Sequence, residues 1–258
     1  TGGQFGQTDT SAGNAIQTSV TVLNVDTSGG STAQFIREAD GLSDLSLNAG
    51  TGSVNLATVA AGDILSSDTS VDITANVASV SVANGAFGTT STSAGQAIET
   101  SVTVLNVDTS AGNKDQFIRE TDGLTDLNLN GGGGNVSLAT VNAGNVLSSD
   151  VGMDLAANTA NVTVANGTFG TTSTSAGQAV ETSVNDLAVD TSGGNGSQFI
   201  RETDGLSDLD LIAGTGNVNV AAGGAIAFGH SLTASSVNAH AGFSGAGDIS
   251  FGAGVTIH

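Results

Sequence analysis

Along most of the chain, apolar residues alternate with small polar ones in short runs. Val77, Ala78, Ser79, Val80, Ser81 and Val82 form one such run, and Val54, Leu56 and Val59 alternate in the same way within 52–59. A period of two places every second side chain on one face, so each run predicts a half-buried β-strand. The runs are bounded by turn chemistry, including Asp40 and Gly41, Asn84 and Gly85, and the stretch from Ser28 to Gly30, which marks short strands separated by frequent turns. No helical stripe of useful length competes. Only Ser11 to Val20 carries a short helical-turn pattern, and Gly13 weakens it.

The pattern recurs at a fixed interval. Phe5, Phe87, Phe169 and Phe251 are each followed by Gly, at steps of 82 residues. The segment Gln34, Phe35, Ile36, Arg37, Glu38 returns at 116–120 and again at 198–202 without a gap. Between Ala83–Ala97 and Ala165–Ala179, 14 of 15 positions agree, a closeness expected of tandem duplication. The repeats run 1–82, 83–164 and 165–246, and 247–258 begin a fourth. Gly224 to Gly252 keeps the register but drifts in composition and holds His230 and His240.

Composition narrows the architecture. The chain has 258 residues but only 9 Phe and no Trp or Tyr, too few large side chains for a wide globular core. Small and β-branched residues suit a narrow, layered interior. Short strands, frequent turns, no Pro and an internal repeat together predict an all-β fold, a parallel β-solenoid over 1–258 as one continuous element. Coils of about 20 residues would place roughly four coils in each repeat. The rival, a string of β-sandwich domains, needs bulkier cores.

The succession from Ala97 to Leu105, then a Gly-bearing turn, then Gln116, Phe117, Ile118, Arg119, Glu120, Thr121, Asp122, Gly123 and Leu124 resembles the strand repeats of filamentous-haemagglutinin-like and other giant bacterial surface proteins. The resemblance extends over all three repeats. It implies a single-stranded right-handed parallel β-helix, export, and a role in adhesion or cell-envelope architecture at a microbial surface. It carries over no catalytic residue.

Charge excludes some partners. With 24 acidic and 4 basic residues the net charge is -20, which repels nucleic-acid phosphates and anionic membrane surfaces. No apolar run reaches the ~18 residues needed to cross a bilayer as a helix, so no membrane insertion is expected. The absence of Cys removes disulfides, thiolate metal clusters and a thiol nucleophile. Of the acids, 19 are Asp and 5 are Glu, a bias suited to turns and strand ends.

The candidate chemistry is sparse. Arg37, Arg119 and Arg201 occupy one phase of the repeat beside Glu38, Glu120 and Glu202, and are read as structural ion pairs neutralising acids on the same or an adjoining coil. The alternative is a recurring contact for carbohydrate or carboxylate, which a guanidinium binds in bidentate fashion. Asp40, Asp44, Asp122, Asp126, Asp204 and Asp208 are the oxygen donors available to a peripheral calcium ion. The glycine-rich nonapeptide of calcium-bound β-rolls does not recur, because Gly131 to Gly134 is followed by Asn135, Val136 and Ser137. Calcium is therefore the one candidate cofactor, and no catalytic constellation is expected, since His230, His240 and His258 have no counterparts in the first two repeats.

The function these features predict is the structural repeat region of a secreted or cell-surface fibre or stalk. The alternative is an adhesin that binds glycan or a partner surface, stabilised by calcium. Unpaired strand edges at the ends of a solenoid must be covered, so the chain is expected to continue in a longer one or to stack end to end into filaments.

Overall fold

In a computed structural model, which describes residues 3–252, the chain is all-β, its parallel strands stacked as a β-solenoid of about 11 turns. It divides into two units, 1–121 with 128–138, and 122–127 with 139–258. The first holds β1 (Ile16–Thr18), β2 (Val22–Asp26), β3 (Gln34–Glu38), β4 (Asp44–Asn48), β5 (Ser53–Thr58), β6 (Ile73–Ser81), β7 (Ile98–Asp108) and β8 (Gln116–Glu120). Strands β9 (Asp126–Asn130) and β10 (Val136–Ala143) contribute residues to both. The second unit holds β11 (Leu155–Asn166), β12 (Val180–Asp190), β13 (Gln198–Glu202), β14 (Leu206–Ile212), β15 (Asn217–Ala222), β16 (Ile226–Thr233), β17 (Ser236–Ala241) and β18 (Ile249–Phe251).

Within each unit a strand commonly pairs with the one two places on, as β1 with β3, β2 with β4 and β3 with β5 in the first, and β13 with β15 and β15 with β17 in the second. This skip follows from coils that carry two strands each, one in each of two rows. A long strand spans both rows of its neighbour: on β12, Val180–Thr182 pairs with β13 and Asp186–Asp190 with β14. The alternation seen in the sequence becomes an inside and an outside. In each of β3, β8 and β13 the Gln, Ile and Glu are buried while the Phe and Arg face outward.

The registers in the first unit correct the expected coil count. In one row Val25 stacks on Leu47, Leu47 on Ile73, Ile73 on Thr100 and Thr100 on Glu120. In the other Ile36 stacks on Leu56, Leu56 on Val80 and Val80 on Val107. Val107 lies 82 residues after Val25 in the sequence, yet it stands in the opposite row. One such step therefore advances about three and a half coils rather than four, because coils vary from 20 residues (Ile36 to Leu56) to 27 (Val80 to Val107). The extra length lies in loops rich in Ser, Thr and Gly, which the strand alternation does not reveal.

The interior is lined mainly by Leu, Ile and Val, closed at one corner by Leu42, Ile64 and Phe87, which bridge in parallel and are almost wholly buried. Beside this corner Gly41, Gly62 and Gly85 lie against backbone of neighbouring coils. A Cβ on Gly62 would lie 2.6 Å from the carbonyl oxygen of Asp40, so any side chain there would force two coils apart.

Candidate functional site

The five glutamates of the chain are all buried, whereas of the 19 aspartates only Asp72 and Asp154 are. Glu is thus the interior acid here and Asp mainly the turn acid. Strand pleating explains three of the five: Glu38, Glu120 and Glu202 share the inward face with the Gln and Ile of their strands. Their carboxyls are met by hydrogen bonds. Val20 N and Ala39 N donate to Glu38 Oε1 at 3.2 and 3.0 Å. Thr100 Oγ1 donates to Glu120 Oε2 at 2.5 Å, and Thr182 Oγ1 donates to Glu202 Oε2 at 2.7 Å. Burial pushes the Glu202 carboxyl up to about 7, against the pull of the Thr182 hydroxyl and the Asp204 and Val184 N–H groups.

The arginines next to these glutamates face the other way. Arg37, Arg119 and Arg201 project outward, and the Nη1 of each donates to a backbone carbonyl in a Thr-rich loop: Thr10 at 3.3 Å, Thr92 at 3.2 Å and Thr174 at 3.2 Å. Across the ladder, Arg119 stands opposite Glu99 and Arg201 opposite Glu181. The Arg201 guanidinium also lies over the Phe243 ring, 4.1 Å from its centroid. These arginines pin loops to the outer face of a strand, a role their sequence neighbours did not indicate.

The calcium candidates divide by position. Asp40, Asp122 and Asp204 are exposed at turns. Asp44 Oδ1 accepts the Ser67 N–H at 3.2 Å and Asp126 Oδ1 accepts the Ser149 N–H at 3.1 Å; an aimed N–H group competes with a cation for that oxygen. Asp208 differs. Together with Asp210 and His230 it forms a group whose ligating atoms lie within 4.8 Å of one another. A bulge builds this group. Leu209 pairs with Phe228 and Leu211 with Leu232, so Gly229, His230 and Ser231 form an outward loop in β16 beside the two carboxylates. His230 Nδ1 is 3.5 Å from Asp208 Oδ2 and 3.6 Å from Asp210 Oδ2. Asp210 Oδ1 already accepts the N–H groups of His230 and Ser231 at 2.8 and 2.7 Å. An imidazole with two carboxylates is the donor set of a borderline divalent ion and not of calcium, which takes six to eight oxygens. His240 lies on β17 opposite Ala221, and His258 falls outside the described residues.

Sequence reasoning passed over Asp72 and Asp154. Each lies 27 residues before a buried glutamate, Glu99 and Glu181, and the pair recurs at the repeat spacing. That spacing, together with the confinement of Glu to two phases of the repeat, was the available signal.

One surface concavity runs along the outside of the first unit. It is a shallow groove of about 490 Å³ walled by Asn55, Ser79, Asn106 and Asn128, with Asp9 and Asp108 at its margins. Its polar groups are partly satisfied by one another, Asn106 Nδ2 donating to Ser79 Oγ at 3.3 Å.

No protein-family model, curated protein or solved structure matches this chain.

Proposed function

We propose that this chain is the structural repeat region of a secreted or cell-surface fibre or stalk of a microbe. In this reading the 82-residue copies continue one right-handed parallel β-helix, and the helix either continues in a longer chain or stacks end to end. No enzymatic activity is part of the proposal.

The observation that supports it best is the half-coil advance. Because Val25 and Val107 stand in opposite rows, a duplicated sequence turns its identical surfaces to alternating sides. Arg37 and Arg119 are an instance: their strands continue different rows, β3 stacking with β5 and β8 with the first residues of β7. Duplication of this kind adds length without building a repeated face for a ligand. Covering by a further coil, of a longer chain or of a second copy, suits the apolar side chains at one edge of the ladder: Ile16 and Val20 are each 41% exposed, while Ile98 and Val102 in the same sequence phase are 0% and 6%. Covering such an edge with another coil recovers roughly 25 cal/mol for each Å² of apolar surface removed from water.

A second reading, an adhesin binding glycan, would rest on the polar groove of Asn55, Ser79 and Asn106. Electron microscopy of the purified chain and a glycan array separate the two. Thin rods that lengthen with concentration and a blank array support the fibre. Isolated compact particles that retain a defined glycan, with binding lost on Asn106→Ala, overturn it in favour of the adhesin.

A further inference from the structure

Two pairs of buried acids lie between coils, one in each unit. Asp72 is 2% exposed and Glu99 5%, and Asp154 is 1% exposed and Glu181 6%. In the first pair the two residues are tied in both directions, once through backbone alone and once through the Asp72 carboxyl. Asp72 N donates to Glu99 O at 2.8 Å, and Glu99 N donates to Asp72 Oδ2 at 2.7 Å. Glu99 Oε1 accepts the Gly95 N–H at 2.7 Å. The second pair repeats this arrangement, with Glu181 N to Asp154 Oδ2 and Gly177 N to Glu181 Oε1, each at 2.7 Å.

One oxygen in each pair is left over. Glu99 Oε2 and Glu181 Oε2 are buried and receive no hydrogen bond from any N–H or hydroxyl group among the described residues. A buried acceptor without a donor is costly, and it occurs twice in equivalent places. The donor missing from both is an acid proton, which the partner carboxyl supplies if it is protonated. Backbone N–H groups rather than carbonyls face these carboxyls, which offers no oxygen cage to a bound cation. The same N–H groups favour the ionised form, so burial and the partner carboxyl must outweigh them for the proton to stay. Around Asp72 the other polar or charged groups are the Ser66 hydroxyl, Asp68 and Asp44, which accept the Ser70 and Ser67 N–H groups, and Arg119 opposite Glu99. Around Asp154 they are Ser148, Asp150, Asp126 and Arg201. Both arginines are turned toward loop carbonyls.

We propose that Asp72–Glu99 and Asp154–Glu181 each share one proton at neutral pH, and that losing it in alkaline solution loosens the seam between the two coils that the pair joins. The fold is then held by protons at two internal positions, a property independent of whether it serves as fibre or adhesin. Burial first, then the neighbouring Glu99 carboxyl, pushes Asp72 up to about 8, against the pull of the Glu99 N–H. The same causes, with Glu181 as the neighbour, push Asp154 up to about 9. Since both lie above the ordinary carboxylate value of 3.8, the folded chain binds more protons than the unfolded one between these values. The stability they contribute is complete below 3.8, declines above it, and is gone once the pH has risen through about 8 to 9.

The test is thermal melting of the whole chain at about pH 5 and about pH 8, beside the double variant Glu99→Gln, Glu181→Gln. In the variant an amide N–H replaces the shared proton at every pH. The wild type is expected to melt about 10 °C higher in the acidic buffer than in the alkaline one, and the variant to lose most of that difference and to melt above the wild type in the alkaline buffer. A parallel loss of stability in both proteins overturns the proposal, since it assigns the pH dependence to general charge repulsion. Carbon-detected NMR of the wild-type side-chain carboxyls gives an independent readout that holds even where the variant does not fold. One carboxyl of each pair is expected to titrate far above the ordinary range, and ordinary titration of all four contradicts shared protons.

Discussion

The loop around Asp72 and the strand around His230 stand in related phases of the sequence and solve the same stacking problem by different means. Positions 64, 66 and 72 hold Ile, Ser and Asp; at 228, 230 and 236, two repeats later, stand Phe, His and Ser. In the first unit the backbone between Val59 and Asp72 forms no regular strand and bridges only at Ile64, so side chains supplement its few backbone bonds to neighbouring coils. Asp44 caps the Ser67 N–H, Asp68 the Ser70 N–H and Asp72 the Glu99 N–H. In the second unit the matching stretch is the strand β16, which stays hydrogen-bonded to β14 and is irregular only at its bulge. There the buried acid is gone, Phe228 stacks on Phe251 at 5.2 Å, and the carboxylates of Asp208 and Asp210 are left at the surface. The lesson concerns the aspartate alone: Asp72 is buried where the backbone forms no regular strand and has no counterpart where the ladder is restored, whereas the glutamates of β3, β8 and β13 are buried within the ladder itself.

The largest expected contrast concerns packing. Phe228, 1% exposed, fills the interior of the strand solution, so Phe228→Ala is expected to cost about 3–5 kcal/mol in urea unfolding. Phe251→Ala, at a ring 53% exposed, is expected to cost much less. Next comes the close approach that the loop solution requires. Gly62→Ala drives a Cβ into the Asp40 backbone and is expected to cost about 1–3 kcal/mol. In the strand solution Gly224 holds the corresponding place, where a Cβ would lie 3.0 Å from the Asp204 carbonyl oxygen, so Gly224→Ala is expected to cost less than Gly62→Ala.

The acids give a smaller contrast. Asp72→Ala leaves the Glu99 N–H without its acceptor and is expected to lose about 1–3 kcal/mol. Asp208→Ala, at a side chain 38% exposed, should change stability by no more than about 0.5 kcal/mol. Equal losses at the two positions would erase the distinction between interior and surface acid. The smallest effect is that of calcium. Because Asp44 and Asp126 already accept backbone N–H groups, adding calcium or a chelator is expected to move the melting temperature by less than about 1 °C. A rise of several degrees would restore the turn aspartates as a calcium site.

The all-β class and the stacking of parallel strands were legible from alternation, turn residues and the absence of Trp and Tyr. Those signals act within a few residues, and strands β3, β8 and β13 form at the repeated Gln-Phe-Ile-Arg-Glu segments with one burial pattern. The coil length was not legible. It depends on how far each loop departs before the chain returns to the ladder, and Ser, Thr and Gly tolerate loops of many lengths. The Arg and Glu neighbours were legible only in part, for a related reason. Adjacent opposite charges attract attention as an ion pair in sequence, but pleating sends them to opposite faces, with Arg119 outward and Glu120 inward.

The central claim is that successive copies share one ladder and advance by a half-integer number of coils. The chain has no cysteine, so a pair introduced at Ser79 and Asn106 tests this directly. These residues are Cα partners on β6 and β7, they belong to different sequence repeats, and neighbouring strands lie about 4.8 Å apart, within reach of a disulfide. Under mild oxidation Ser79→Cys with Asn106→Cys is expected to close an intramolecular disulfide, while Asn24→Cys with Asn106→Cys, which joins equivalent positions in opposite rows, stays reduced. Failure of the first pair to close, or closure of the second, would contradict the account.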